Sequence, residues 1–151
     1  MSDIDALEAF AADLIARLEP AARRELARRI AGELRQRNQK RIAAQTNVDG
    51  SPYAPRKPQL RHKVGTLRRQ MFSRLRTARF LKASASADSA LVEFTERVSR
   101  MARVHHFGLR DRVNRRNTLE ADYPARQLIG IADEDEALIR ELVTAHLADR
   151  L

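Results

Sequence analysis

The sequence predicts an α+β domain: an N-terminal helical hairpin, a small antiparallel sheet, and a C-terminal helix. Three observations carry this reading. Apolar residues recur at helical spacing near both ends of the chain, and they alternate with polar residues at strand spacing in the middle. Aromatics are scarce, with no Trp and only Tyr53 and Tyr123 beside five Phe, so Leu, Ile, Val and Ala must fill the core. The 151 residues make one ordinary domain, taken as 1–151, which can bury roughly 70% of the surface its unfolded chain exposes.

The elements follow in order. Ile4, Leu7, Ala11, Leu14 and Leu18 step by three and four, the signature of an amphipathic helix. Pro20 suits the first turn of a second helix, whose apolar stripe runs Leu26, Ile30, Leu34 and on to Ile42. That pattern ends near Thr46, where three prolines, Gly50 and turn-forming Asn47 and Asp49 mark an arm over 47–60. Loops of that length are usually functional or disordered, so the arm is expected to bind a partner and to matter little for folding. Residues 66–76 suggest a weak helix. Strands are expected near 79–85 and 90–95, around a turn at Ala87-Asp88-Ser89, and a third at 127–131. A short helix over 96–106 should carry Val98, Met101, Ala102 and His105 on its inward side, with Phe107 packing into the core after it and Gly108 as its stop, and Arg110 to Arg116 reads as a basic loop. Asp133 and Glu136 resemble a capping box for the last helix, with Ile139, Leu142, Val143 and Leu147 facing in.

The net charge of +9 is unevenly placed. Residues 1–22 hold one Arg against five acids (−4), 23–82 hold eighteen Lys or Arg against three acids (+15), 83–132 carry eight against six (+2), and 133–151 two against six (−4). Acidic ends around a basic middle can pair copies of the chain by face. The same charge invites phosphate, but only Tyr53, Phe72 and Phe80 could stack on bases, and no helix-turn-helix spacing occurs. A basic nucleic-acid-binding accessory protein is the alternative reading.

Catalytic motifs are missing: the sequence has no Walker A loop, dinucleotide fingerprint, nucleophile elbow or metalloprotease helix. No cysteine means no disulfide and no thiolate metal site. Adjacent His105 and His106 point about 100° apart on a helix, a poor start for a metal shell, and read as a packed His105 and a surface or interface His106. The acids Asp133 to Glu136 suit the first turn of a helix for electrostatic reasons alone. No enzyme activity, cofactor or metal is expected. The acidic N-terminus and the lack of a long apolar run predict a soluble chain outside membranes.

Three segments together carry a resemblance. They are the run from Ile42 to Lys57 (Ile-Ala-Ala-Gln-Thr-Asn-Val-Asp-Gly-Ser-Pro-Tyr-Ala-Pro-Arg-Lys), Val104-His105-His106-Phe107-Gly108, and the run from Tyr123 to Ile131 (Tyr-Pro-Ala-Arg-Gln-Leu-Ile-Gly-Ile). In that order, between a helical pair and a last helix, they resemble the phage virion morphogenesis, or tail-completion, family of Mu-like and related contractile-tailed temperate phages and prophages. The resemblance implies a structural subunit that caps the tail tube as a hexameric ring, in the neck where the head joins. Its implied partners are further copies of itself, the tail tube protein, the sheath and head-side connector proteins, with room for non-specific contact with genomic DNA. The implied location is the virion tail, with assembly in the host cytoplasm. The family has no catalytic residues to carry over. Candidate partner-binding residues are Asp49, Gly50, Tyr53, Pro55, Arg56 and Lys57 on the arm, Arg68, Arg69, Arg74 and Arg76 on the basic segment, and His106, Tyr123 and Arg126. Tyr123-Pro124 is either an interface or a plain lead into a strand.

Overall fold

The computed structural model describes residues 3–56, 70–116 and 118–150. Helix α1 spans Asp3–Arg17 and α2 Pro20–Ala44; strands β1 (Leu81–Ala85) and β2 (Ala90–Phe94) precede helix α3 (Glu96–Phe107), strands β3 (Arg110–Arg112) and β4 (Glu120–Asp122), and helix α4 (Asp133–Ala148). Among the described residues, two separate two-stranded antiparallel ladders stand with four helices, an α+β arrangement.

The spine is α2. Pro20 opens it where a missing N–H costs nothing, and Ala22, Leu26, Ala27, Ala31, Leu34, Asn38 and Ile42 form its buried side. Gln45 ends it in the left-handed region (φ 58°). The Gln45 amide nitrogen donates to Ile42 O at 2.7 Å and Met71 O at 2.9 Å, while its Oε1 accepts from the Met71 N–H at 3.2 Å. One side chain thus closes the helix and ties down a distant segment.

The β1–β2 hairpin lies against α2, with Leu81 opposite Phe94 and Ala85 opposite Ala90. Its turn is locked by Ser86, whose N–H donates to Ser89 O at 2.8 Å and whose Oγ accepts from the amides of Asp88 and Ser89. Arg35 Nε donates to Leu81 O at 2.8 Å, fixing the strand to the helix. The α4 helix packs on the other flank of α2. Beneath them Ile42, Tyr53, Leu75, Val98, Ala102 and Leu128 form the core, with Met71, Phe72, Phe80 and Phe94 packed around it.

Several expectations are corrected. Residues 127–131 form no strand: they are extended, but side chains rather than a neighbouring strand satisfy their backbone. The N–H groups of Gln127, Leu128 and Gly130 donate to Asn47 Oδ1 (2.9 Å), His106 Nδ1 (3.1 Å) and Asn38 Oδ1 (2.9 Å). The carbonyls of Gln127 and Gly130 accept from the Tyr53 hydroxyl (2.8 Å) and from Arg41 (3.1 Å). Every buried backbone polar group needs a partner, and here the partners arrive singly. The basic run after Gly108 begins with a short ladder instead, β3 against β4, with Arg110 opposite Asp122.

The expected helix at 66–76 lies partly outside the described residues. Its described part, from 70, runs as successive turns, with Phe72 in the left-handed region (φ 63°). On α3, Val98 and Ala102 are buried as expected, and Val104 with them, whereas Met101 is 47% exposed and Phe107 62% exposed, so the inward face turns away from those two. The α4 cap is shifted too: Asp135, fully buried, accepts from the Ala132 N–H at 2.8 Å, the role expected of Glu136 towards Asp133. Finally, α1 makes no extensive contact with α2 or any other element, leaving Ile4, Leu7 and Phe10 more than 60% exposed. The two N-terminal helices are present, but they do not pack face to face as a hairpin.

Candidate functional site

Three sequence segments far apart in the chain meet in space. The loop after α2 folds back on itself, with Asn47 N–H donating to Ser51 O at 2.7 Å and Tyr53 N–H to Gln45 O at 2.8 Å. Gly50 takes φ 86° at the tip, a conformation that suits glycine. Beside it, the Asp49 carboxyl is held below the ordinary carboxylate range by hydrogen bonds from Ser51, its hydroxyl (2.5 Å) and then its N–H (2.9 Å). The loop then crosses 126–128. Arg126 is 4% exposed and donates from Nε to Ala54 O (2.8 Å) and from its terminal nitrogen to Pro55 O (3.0 Å).

The end of α3 completes the junction. Arg126 N–H donates to His105 O at 2.8 Å, and Gly108, at φ 67°, leaves no room for a side chain, since a Cβ there would sit 2.7 Å from Ala125 N. Edge-to-face contacts run from Tyr53 through Phe72 and His105 to Tyr123, with centroids 5.9, 5.0 and 4.8 Å apart. Burial lowers the pKa of both His105 and His106, and His106 accepts the Leu128 N–H through Nδ1, which requires its neutral ring. Burial pushes the Tyr53 phenol up to about 12. Behind this junction Asp135 pairs with Arg41, and with Arg37 at 3.3 Å, while Arg41 also donates to Asn38 Oδ1 at 2.9 Å.

The candidate residues fall into distinct groups. Tyr53 and Arg126 are engaged inside the subunit, His106 and Tyr123 are half-buried beside them, and Asp49, Gly50, Pro55 and Arg56 are exposed on the loop. Arg74 is exposed; Arg76 is half-buried, and its Nε finds no hydrogen-bond partner among the described residues. Lys57, Arg68 and Arg69 lie outside the described residues. Because Tyr53 belongs to the core, the loop contributes to folding, contrary to expectation.

A second feature went unread in the sequence. Between α3 and the β3–β4 ladder lies an open groove of about 1050 Å³. Five arginines (Arg97, Arg100, Arg110, Arg112 and Arg115) face Asp111 and Glu120 across it, a net of +3, and Met101, Val104, Val113 and Tyr123 supply its apolar lining. Arg100 pairs with Asp111 at 2.7 Å and Arg110 with Glu120 at 3.0 Å; Arg97, Arg112 and Arg115 have no ion pair among the described residues. The Asp111 carboxyl is held below its usual range by the Arg112 N–H first and by Arg100 next. The sequence signal was there, in Arg97 and Arg100 one turn apart and in the basic run after Gly108.

Among the described residues no cluster of His, Asp and Glu could hold a metal ion, and no helix is long and apolar enough to cross a membrane. Side chains of the junction (Asn38, Arg41, Asn47, Tyr53, His106 and Arg126) hydrogen-bond to backbone and hold its segments together, the arrangement of a structural subunit. The chain belongs to the phage virion morphogenesis family, whose model matches residues 2–148. It is 43% identical over 149 residues to the tail completion protein S of Escherichia phage P2, covering 97% of this chain and 99% of that protein. No solved structure matches it.

Proposed function

We propose that this chain is a tail-completion subunit of a tailed phage: it caps the tail tube as a hexameric ring in the neck and presents a surface to which the filled head docks. The observation that carries this reading is the near end-to-end likeness to tail completion protein S of phage P2. The fold supports it in kind. Ring closure needs head-to-tail contacts between unlike surfaces of one chain, and acidic ends around a basic middle provide them. The tail tube, sheath and head-side connector are its neighbours, and it acts in the virion tail after assembly in the host cytoplasm. The exposed loop residues Asp49, Gly50, Pro55 and Arg56, with Arg74, are the residues assigned to partners, while Tyr53 and Arg126 hold the loop in place for them. Electron microscopy of particles made without the protein tests this: free heads and uncapped tails are expected. Normally joined virions would overturn it.

A second reading rests on the arginine groove and on the exposed Arg24, Arg28 and Arg29 of α2, which could meet the phosphates of passing DNA. Binding to duplex DNA whose affinity falls steeply with salt, with a slope of roughly 0.9 per phosphate engaged, would favour it.

A further inference from the structure

Two surfaces of this chain are unsatisfied, and they are complementary. The described residues include ten large, exposed hydrophobics. Three of them, Ile4, Leu7 and Phe10, lie on α1, and five, Met101, Phe107, Leu109, Val113 and Leu119, lie on α3 or between it and β4, of which Met101 and Val113 line the groove. The first surface is acidic, since α1 holds Asp3, Asp5, Glu8 and Asp13 against Arg17, which pairs with Asp13 at 2.7 Å. Helical spacing puts Glu8 at the border of its apolar stripe. The second is the arginine-rimmed groove with its apolar lining and three arginines lacking an ion pair among the described residues. An apolar stripe bordered by acid fits an apolar floor bordered by arginine, the pattern of an amphipathic helix laid in a groove.

We infer that α1 of one copy docks in the α3–β3–β4 groove of the next, which makes it the head-to-tail joint of the ring and rests on the ring reading above. The contact is between copies because of where α1 is tethered. A two-residue link, Leu18 and Glu19, holds it to the start of α2, beside the hairpin turn, where Arg23 reaches Asp88 at 3.4 Å. The His105 end of the groove lies past the other end of α2, where Gln45 O accepts from Tyr53 N–H and ring contacts lead from Tyr53 through Phe72 to His105; its Arg97 end follows Phe94, which pairs with Leu81, the residue held by Arg35 midway along α2. The 25 residues of α2 put about 36 Å between those ends, against about 22 Å for the length of α1. Such a contact is heterologous, joining unlike surfaces, and so it propagates around a closed ring.

The chain has no cysteine, so introduced thiols report on this contact alone. Full-length Leu7→Cys and Met101→Cys proteins would be mixed and oxidised while the oligomeric mass is followed by native mass spectrometry. A mixed disulfide is expected only from the pair. Its yield should be on the order of tenfold above that of a control pairing Leu7→Cys with Glu93→Cys, because docking raises the local thiol concentration. Leu7→Asp should raise the concentration needed for assembly by on the order of tenfold. Arg115→Glu should lower the disulfide yield, and Glu8→Arg on the partner copy should restore it. Ring mass without the disulfide would overturn the docking proposal and leave the ring reading standing. A monomer both in solution and when added to tails would overturn both. A disulfide formed within one chain carrying both thiols would show α1 closing on its own groove. Loss of duplex-DNA binding in Arg112→Gln/Arg115→Gln, with disulfide yield unchanged, would assign the groove to phosphates. Either of these last results overturns the proposal.

Discussion

Removing the Asp135 carboxylate is the sharpest test of how the three segments are held. Asp135 is fully buried; it pairs with Arg41 and Arg37 and accepts the Ala132 N–H, so it joins α2 to the first turn of α4. Asp135→Ala deletes a charge-assisted cap worth roughly 1.5–3 kcal/mol and removes the carboxylate paired with Arg41, leaving it only the more distant charge of Glu134. Breaking a buried pair from one side typically costs about 3–5 kcal/mol. The Arg41 guanidinium keeps two acceptors, Asn38 Oδ1 and Gly130 O, and its side chain remains 17% exposed, so the lower half of that range applies, about 3–4 kcal/mol. Asp135→Asn keeps an oxygen for Ala132 N–H and loses only the charge, so about 2 kcal/mol is expected. Urea denaturation at neutral pH reads both, as midpoint shifts at constant slope. Adding Arg41→Met to Asp135→Ala should recover part of the loss, since the stranded cation is then gone. A loss below about 1 kcal/mol for Asp135→Ala would refute the claim that this pair holds the segments together.

Further outcomes follow from the same geometry. Tyr53 stays protonated in the fold up to about pH 12, against about 10 when unfolded, so its contribution is complete below pH 10 and is lost as pH rises from 10 to 12. That loss is on the order of 2 kcal/mol, and alkaline melting curves of Tyr53→Phe should lack it. On the acid side, His105 and His106 have lowered pKa values, so stability present above about pH 6.5 declines as pH falls through that value; His106→Phe should soften the decline. Gly108→Ala meets the Ala125 backbone at positive φ and should cost more than about 2 kcal/mol, while Gly50→Ala, with nothing within 4 Å, should cost only about 1. Met101→Ala, half-exposed, should cost less than about 1 kcal/mol by thermal melting; a loss above 2 would return this side chain to the core.

Elements with strong periodicity were legible in the sequence. The stripe of α2 and the hairpin alternation arise from burial on one face, and the structure has both, with β1 and β2 inside the expected 79–85 and 90–95. What was lost was long-range. Asn38 sits at the gap in the Leu34–Ile42 stripe, and nothing local says that it reaches Gly130. The segment 127–131 has the composition of a strand and is extended, but whether an extended segment pairs with a strand or with side chains depends on neighbours 22 to 92 positions away. The α1 stripe, exposed at Ile4 and Leu7 and half-buried at Ala11, Leu14 and Leu18, carries the same local signal as a buried one, because periodicity says which face is apolar and not what covers it. The loop at 47–56 was misjudged as dispensable for folding because its one core residue, Tyr53, is surrounded by Pro, Gly and polar neighbours.

The manner in which residues 126–130 are held also sets when they can be held. Each of their contacts with Asn38, Arg41, Asn47, Tyr53 and the loop carbonyls closes a span of 71 to 92 residues. Unlike the rungs of a ladder, none of these bonds prepares the next along its own strand. Closing one such loop in an unfolded chain costs roughly 4 kcal/mol in the logarithmic length term alone, so no single bond can form early. The donors and acceptors must already be lined up by α2 and the loop behind it, which makes this segment a late arrival in folding. Substitutions at Asn38 or Gln127 should therefore quicken unfolding and leave the folding rate almost unchanged. During synthesis the segment also leaves the ribosome after all of these partners, so the order of translation matches the order in which the junction can close.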